Sequence, residues 1–419
     1  MRKILLLFLL THQVYSENLF TKYFKMGYTE NLTSSTKNDF NAGILNATVY
    51  NNPYYCTLNI GGKNYVFYID TGSALSIIYN AEILTNNSAI YSKINNELSM
   101  DFYSFSEIFI DRFVVRETVF IAEDRMLSKK YFNDQPFDGV LGLNILQHFI
   151  VSIDNIIGKI SFSQTSTEID NEFPMAIDLD GFPFLVIDGK LGAQVGKWII
   201  DTGNSGYYIL NRESVLKDER NLKISEFTGQ INPLIYNMKM EATALGITDK
   251  CKIGNELLID QKFRIVSFEE SGLTKDWNMT RFLGLIPRKF FENAIVTMDF
   301  IQSKLSIQRN KPLNTNYLAY PEYFGIDIDY TLIQSKYWKI IGVLENSPLF
   351  LSGLRVGDYL YARNQPFFDF INNTLKPAIE ENQYGKIMGL PVSVQIKRGN
   401  IEEIIHFEFQ DPLHKFLND

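Results

Sequence analysis

The chain has 419 residues, of which 45% are hydrophobic and 21% are charged, and its formal net charge is −8. This length suits two or three domains, and the share of apolar residues excludes a disordered chain. The acidic balance and the absence of a long lysine- and arginine-rich run argue against a nucleic-acid-binding protein.

The amino terminus has the pattern of a cleaved signal peptide. Arg2 and Lys3 precede the apolar run Ile4–Leu10, and Ser16 offers a small residue for cleavage. The apolar run is too short to span a bilayer. We therefore expect residues 1–16 to be removed, leaving an exported protein (periplasmic, cell-surface or secreted) without a transmembrane span. An amino-terminal anchor is the alternative.

Two segments of the chain follow one pattern. Phe67–Ser73 reads FYIDTGS and Trp198–Asn204 reads WIIDTGN, so in each an apolar strand runs into Asp-Thr-Gly. Downstream, Val140–Leu143 reads VLGL and Phe282–Leu285 reads FLGL. Each of these precedes a short helical stretch, a strand that contains aspartate and a hairpin strand. Two matched sets of landmarks in the same order predict an internal duplication.

The sequence around these landmarks predicts a mainly β fold. Apolar and polar residues alternate, β-branched and aromatic residues are frequent, and turns are marked by Asn, Asp and Gly. The expected organisation is a first β lobe over residues 17–168, a second over 169–312, and a small α/β domain over 313–419. A polar linker is expected near residues 163–172.

The tail from residue 313 has a different sequence pattern from the rest of the chain, because short helical patterns interrupt its predicted strands. Its expected elements are strands at Tyr323–Tyr330 and Trp338–Leu344, helices at Ser347–Ser352 and Thr374–Gln383, and a hairpin of Val392–Lys397 with Glu402–Phe409.

The two Asp-Thr-Gly segments carry residues for acid–base chemistry. Two carboxyl groups held against each other cannot both ionise easily, so Asp70 and Asp201 would share one proton. The ionised partner then acts as general base toward water, and the protonated partner donates to the carbonyl oxygen of a peptide bond. This chemistry needs neither a metal nor histidine, and we expect no cofactor.

The residues that follow each aspartate suit this role. Glycine lets the chain turn tightly and leaves the carboxylate uncrowded. The threonine hydroxyl can tie one loop to the other, and the side chain two residues after the threonine (Ser73 or Asn204) can donate to a carboxylate oxygen. These supporting residues are Thr71, Gly72, Ser73, Thr202, Gly203 and Asn204.

Over roughly residues 45–308 the chain resembles the bilobal pepsin-like and retropepsin-like aspartic proteases, on the two Asp-Thr-Gly motifs and the apolar-apolar-Gly segments that follow them. The resemblance implies an aspartic endopeptidase in which Asp70 and Asp201 face each other across a cleft for an extended peptide or protein substrate. It also implies that the segments ending at Gly142 and Gly284 pass close to the catalytic loops and support them.

The chain departs from that family in two places. Asn204 stands where serine or threonine is usual, although an amide can also donate. The family covers its cleft with a flap that often carries a tyrosine or glycines, and the matching region, about Asn95–Phe109, has Tyr103 but no glycine. Tyr103 is therefore a possible flap residue, and an ordinary strand aromatic is the simpler interpretation.

The tail resembles a PDZ domain of the bacterial, protease-associated type. The resemblance rests on Ile340–Leu344, Ser347-Pro348 and Ser352–Leu360, with closing strands around Arg398-Gly399. It implies a groove beside a strand, here Tyr323–Ile328, that takes an extended peptide or protein ligand by strand addition. A small module that only packs is the alternative.

Two further functions remain open from the sequence. The protein could be a catalytically silent protease fold that binds extended peptides without cleaving them. It could also be a glycosidase with a carboxylate pair, which would require widely separated carboxyl groups and would leave the duplication unexplained.

Other chemistries have little support. The sequence has no Ser-His-Asp or Cys-His pattern, no zinc signature and no phosphate-binding glycine loop, so no metal site is expected. Cys56 and Cys251 could form a disulfide or remain as buried thiols.

Overall fold

A computed structural model describes residues 22–31, 40–44, 53–86, 91–94, 101–122, 137–165, 171–180, 182–204, 208–215, 222–229, 242–268, 279–311, 313, 324–328, 336–345, 347–361, 365–375, 377–378 and 384–410. The expected signal peptide, 1–16, lies outside them. The described residues confirm a mainly β protein. Among them, no helix is long and apolar enough to cross a membrane.

The first half of the chain contains eleven described strands. They are β1 Tyr28–Asn31, β2 Ala42–Ile44, β3 Tyr54–Ile60, β4 Lys63–Ile69, β5 Ser76–Ile78, β6 Tyr91–Ile94, β7 Asp101–Ile110, β8 Phe113–Ala122, β9 Gly139–Leu141, β10 Ile150–Asp154 and β11 Lys159–Ser163. Its short helices are Glu82–Asn86 and Leu143–Leu146.

The second half contains ten described strands. They are β12 Glu172–Asp178, β13 Phe184–Leu191, β14 Gln194–Asp201, β15 Ile209–Asn211, β16 Leu222–Gly229, β17 Ala242–Ile253, β18 Glu256–Val266, β19 Phe282–Pro287, β20 Ala294–Asp299 and β21 Lys304–Arg309. Its helices are Arg212–Val215 and the 3₁₀ turns Met279–Arg281 and Arg288–Phe291.

The C-terminal segment contains five described strands. They are β22 Ile326–Ile328, β23 Tyr337–Leu344, β24 Tyr359–Tyr361, β25 Pro391–Arg398 and β26 Ile401–Glu408. Its helices are Pro348–Leu351, Gln365–Phe370, the π-helical turn Ile371–Leu375 and the 3₁₀ turn Tyr384–Ile387.

The two halves arrange their strands in the same way. In the first half β4 pairs in parallel with β9, and β5 pairs antiparallel with β9 and in parallel with β8. In the second half β14, β19, β15 and β18 repeat these pairings in the same senses. Asp70 directly follows β4 and Asp201 ends β14, so both aspartates leave equivalent strands.

An antiparallel pair, β10 with β20, joins the halves. Ile150 lies opposite Asp299, Asp154 lies opposite Ile295, and Ser152 lies opposite Thr297 at the centre. The hairpin partners β11 and β21 extend this sheet on its two sides. One large hydrophobic cluster takes side chains from both halves, so the two units are packed together.

The C-terminal segment is attached to the second half by shared structure. Strand β16 pairs with β17 through residues 222–226 and then with β23 through Phe227–Gly229. Leu245 and Ile247 of β17 are buried in the same hydrophobic cluster as the core of the C-terminal segment. This segment is therefore packed on the second half along both a sheet and a core.

Most expected elements of the tail are present, and one further helix was not predicted. The helix over 348–351 begins at Ser347, whose hydroxyl accepts the N–H of Phe350, and the closing hairpin turns at Gly399-Asn400. Of the helix predicted at Thr374–Gln383, residues 374–375 and 377–378 are helical, and residues 376 and 379–383 lie outside the described part. The helix Gln365–Phe370, which precedes it, was not predicted.

Candidate active site

Asp70 and Asp201 come together at the boundary between the halves. Their carboxyl groups lie close enough to share a proton through a hydrogen bond. A Cβ placed on Gly72 would lie 2.5 Å from Oδ1 of Asp201, and one placed on Gly203 would lie 2.5 Å from Oδ1 of Asp70. Each glycine therefore lies against the carboxylate of the opposite half, where a larger residue has no room. The wide separation of a glycosidase pair is not seen.

Backbone N–H groups hold both carboxylates in place. The N–H groups of Gly72 and Gly203 donate to Oδ1 of Asp70 at 2.7 and 3.1 Å. The N–H of Asn204 donates to Oδ1 of Asp201 at 2.9 Å. Donors fixed in the backbone cannot rotate away, so the orientations of the two carboxylates are fixed by the fold.

The two threonines tie the loops to each other. The backbone N–H of Thr71 donates to Oγ1 of Thr202, and the N–H of Thr202 donates to Oγ1 of Thr71, both at 3.0 Å. Each hydroxyl then donates across the boundary, from Thr71 to the carbonyl of Ile200 and from Thr202 to that of Ile69. Both side chains are fully buried.

Ser73 does not act as the sequence suggested. The hydroxyl of Ser73 donates to the carbonyl of Leu75 at 2.7 Å rather than to the carboxylate of Asp70. Oδ1 of Asp70 already accepts two N–H groups. The carbonyl of Leu75, two residues after the serine, lies within hydrogen-bonding distance of the serine hydroxyl. At Asn204, the backbone N–H supplies the bond to Asp201 described above.

Gly142 and Gly284 lie beside the two aspartate loops but at different positions. Strand register places Phe67 opposite Gly139 and Trp198 opposite Gly284. Gly284 is therefore equivalent to Gly139, and Pro287 takes the place of Gly142. The expected match of Gly142 with Gly284 was wrong by three residues. The apolar-apolar-Gly pattern ends at residue 142 in the first half, but in the second half it ends at the residue equivalent to 139.

The support that these segments give is visible in their hydrogen bonds. In the first half Leu143 donates its N–H to the carbonyl of Ser73 at 2.8 Å. In the second half Arg288 donates its N–H to the carbonyl of Asn204 at 2.9 Å. A Cβ on Gly142 would meet the backbone of Leu75 at 2.7 Å, so this glycine permits the close approach.

A second repeated residue was missed in the sequence. Asn80 and Asn211 each lie ten positions after their aspartate, and each accepts the N–H of the residue two further on through Oδ1. Their Nδ2 groups donate to Asp138 and to the carbonyl of Phe282. The signal was present, since Asn-x-Glu follows an apolar strand in both halves.

Arg288 is a buried cation beside the loops that the sequence did not single out. Its Nη1 donates to the hydroxyl of Tyr68 at 3.1 Å and to the carbonyl of Thr202 at 3.4 Å. The hydroxyl of Tyr68 also donates to that carbonyl, at 2.9 Å. Because Tyr68 and Arg288 are 220 positions apart, no local pattern could have revealed their contact.

The electrostatics of the pair favour one shared proton. Burial raises the pKa of Asp70 and raises that of Asp201 well above its ordinary value, and the charge of Asp70 raises the pKa of Asp201 further. For Asp70 the N–H groups of Gly72 and Gly203, the bond to Asp201 and the charge of Arg288 act in the opposite direction. The arrangement can hold one carboxylate and one carboxylic acid in contact.

The proposed flap residue lies in an ordinary strand position. Tyr103 lies in β7 opposite Lys93 of β6, and its ring packs against the main core. Lys93 lies 5.9 Å from the centre of that ring. The tip of this hairpin, residues 95–100, lies outside the described residues. These contacts support the simpler interpretation of Tyr103.

The described residues contain no group of three or more His, Cys, Asp or Glu side chains placed to hold a metal ion. Cys56 and Cys251 are buried free thiols, so they do not form a disulfide with each other. Burial raises the pKa of both thiols, which makes them poor nucleophiles.

No protein-family model matches the chain, and no curated protein matches its sequence.

Proposed function

We propose that the protein is an aspartic-type endopeptidase, a hydrolase that cleaves peptide bonds through water activated by Asp70 and Asp201. The observation that carries this proposal is the contact of two carboxyl groups, that of half-buried Asp70 and that of buried Asp201, inside loops that exchange threonine hydrogen bonds. Such a pair supplies a general base and a general acid at one point.

In the proposed reaction an extended peptide lies across the boundary between two lobes, residues 17–168 and 169–312. The ionised carboxylate removes a proton from water, and the water oxygen attacks the carbonyl carbon of the peptide. The carboxylic acid donates its proton to the carbonyl oxygen. Collapse of the tetrahedral species transfers a proton to the amine and releases two peptides, which restores one proton to the pair.

We assign the C-terminal segment, residues 313–419, to a PDZ-like module for peptide or partner recognition. Strand β22 pairs with β23 on one side, and it is the strand beside which an added peptide strand would lie. We further propose that residues 1–16 direct the protein to export.

The replacement of each aspartate by asparagine tests the endopeptidase. Asp70→Asn and Asp201→Asn each remove a carboxylate while keeping its shape, so both should abolish cleavage of a mixed peptide library over pH 3 to 8 and remain folded. The matched control is Asp111→Asn. Asp111 lies in a turn at φ 52°, a conformation that asparagine also adopts, so this variant should keep full activity.

A silent peptide-binding protein is the rival. It predicts that library peptides bind to the wild-type protein and are not cleaved at any pH. Cleavage that is blocked by a transition-state mimic of aspartic proteases, and absent in both asparagine variants, would exclude it. Full activity in either variant would refute the endopeptidase.

A further inference from the structure

One peptide group beside the carboxyl pair is held at both ends. Its N–H, from Gly203, donates to Oδ1 of Asp70 at 3.1 Å. Its carbonyl, from Thr202, accepts the hydroxyl of Tyr68 at 2.9 Å and Nη1 of Arg288 at 3.4 Å. Because a trans peptide group is planar, with its C=O and N–H pointing in opposite directions, contacts that fix the carbonyl also fix the direction of the N–H.

These contacts cross the boundary between the halves. Tyr68 lies in β4, two residues before Asp70, so one segment of the first half holds both ends of a peptide group of the second half. Arg288 reaches the same carbonyl from the turn that follows β19. Its backbone N–H also donates to the carbonyl of Asn204 at 2.9 Å. The second aspartate loop is therefore held at two of its carbonyls.

The hydroxyl of Tyr68 is suited to this contact. It accepts Nη1 of Arg288 at 3.1 Å while it donates to the carbonyl of Thr202. Burial raises the pKa of Tyr68, so the phenol keeps the proton that it donates. A cationic donor on the phenol oxygen polarises the phenol and strengthens the hydrogen bond that it donates in turn. Tyr68 and Arg288 are both buried, so little water competes for these bonds.

The positions equivalent to Tyr68 and Arg288 carry aliphatic side chains. Ile199 stands two residues before Asp201, where the first half has Tyr68. Leu143 stands where the second half has Arg288, and each donates its backbone N–H to its aspartate loop. Aliphatic side chains cannot donate hydrogen bonds. The two halves thus differ at two positions whose polar side chains meet at a single carbonyl.

We propose that Tyr68 and Arg288 are positioning residues that hold the N–H of Gly203 against the carboxyl pair. The inference rests on the proposed function, because the geometry that they hold is the one in which the pair would activate water. The N–H of Gly203 also lowers the pKa of Asp201, so it acts on both carboxyl groups. Both residues act through the peptide group of Thr202 and Gly203 and need no contact with substrate.

NMR of the protein labelled with ¹⁵N-glycine tests the contact directly. The Gly203 amide signal is identified as the one missing from the Gly203→Ala variant. Tyr68→Phe removes only the hydroxyl and frees the carbonyl of Thr202, so the hydrogen bond of the Gly203 N–H to the carboxylate should weaken. The Gly203 amide proton should then move upfield, and the signals of glycines in the C-terminal segment should stay in place.

Tyr68→Phe should also lower kcat and leave KM nearly unchanged, because the carboxyl pair shifts while the surfaces for the substrate do not. A displacement of about 1 Å can cost a hundredfold in rate, so we expect a fall in kcat of about tenfold to a hundredfold. The matched control is Tyr65→Phe. Tyr65 is a buried tyrosine of the same strand whose hydroxyl bonds to no described residue, so both readouts should stay at their wild-type values.

Substitutions at Arg288 repeat the test if Tyr68→Phe does not fold. Arg288→Met removes the donor to the hydroxyl of Tyr68 and to the carbonyl of Thr202, and should move the Gly203 signal in the same direction. Arg288→Lys keeps a cationic donor and should restore most of the signal position and of kcat. Equal effects of methionine and lysine would contradict the role of this donor.

The two readouts separate this inference from the proposed function. A Gly203 signal at its wild-type position in folded Tyr68→Phe refutes the positioning role, even if the wild type cleaves peptides. A moved signal with an unchanged kcat, or a rise in KM alone, refutes it as well. If the signal moves and the wild type does not cleave peptides at any pH, the hold on Gly203 stands and the endopeptidase is refuted.

Discussion

Thr71 and Thr202 are related by an exchange of hydrogen bonds in which each backbone N–H donates to the hydroxyl of the other, at 3.0 Å in both directions. The exchange lies between the halves and immediately beside both aspartates. The geometry of the carboxyl pair therefore depends on contacts that neither half can make alone.

Valine at either threonine should destabilise the protein. Thr71→Val or Thr202→Val removes a hydroxyl that is both donor and acceptor, and leaves a buried N–H and a buried carbonyl without their partner. We expect a loss of about 1–3 kcal/mol in the free energy of unfolding, measured by urea denaturation, and reduced cleavage. Serine at the same positions keeps the hydroxyl and should lose less; an equal loss for serine and valine would contradict this role.

Alanine at Gly72 or Gly203 should inactivate the protein with little loss of secondary structure. The added methyl group would lie 2.5 Å from a carboxylate oxygen of the opposite half, so that carboxylate must move. A displacement of about 1 Å can cost a hundredfold in rate, and we expect at least that loss in kcat. Gly385→Ala is the control, since its Cβ meets no atom within 4 Å, and it should keep the wild-type rate.

The stability advantage of Asp201→Asn over the wild type should grow as the pH rises. The folded-state pKa of Asp201 lies above its unfolded value, so the folded protein retains a proton that the unfolded chain has lost. Wild-type stability should fall by about 1.4 kcal/mol per pH unit across that interval. Asparagine does not titrate, so its advantage over the wild type in urea denaturation should grow from acid toward neutral pH. An advantage that is constant with pH would contradict the raised pKa.

Leu245→Ala should loosen the C-terminal segment as well as the second half. Leu245 is fully buried in the core of that segment, and its truncation should cost about 2–5 kcal/mol. Amide hydrogen exchange should increase in β23 as well as in β17. The matched control is Leu257→Ala, because Leu257 is 57% exposed. Faster exchange confined to β17 would show that the segment is independent of the second half.

The features that could be predicted from the sequence are those that depend on local patterns of residues. Alternating residues and turn residues predicted β hairpins, and the repeated Asp-Thr-Gly marked the two loops that meet. The helix Gln365–Phe370 was not predicted, because it is rich in aromatics and is followed by Asn372-Asn373, a pair that is typical of a turn. Its formation follows from tertiary packing, since Phe367, Ile371 and Leu375 are spaced four apart and buried together.

Register and distant contacts were beyond the sequence. Glycine occurs at 139, 142 and 284, and only strand pairing decides which of them are equivalent. The bond of Arg288 to Tyr68 links the two halves, so it exists only after both have folded and packed.

The pairing of β10 with β20 has a consequence for assembly. Ile150 of the first half is equivalent to Ile295 of the second, and Asp154 is equivalent to Asp299. Ile150 lies opposite Asp299, and the equivalent pair, Ile295 and Asp154, also lie opposite each other. This is the register of a two-fold symmetric dimer interface contained in one chain. The same register would allow the first half of one copy to pack on the second half of another. We expect refolding at high concentration to form some domain-swapped dimers, which size-exclusion chromatography would detect.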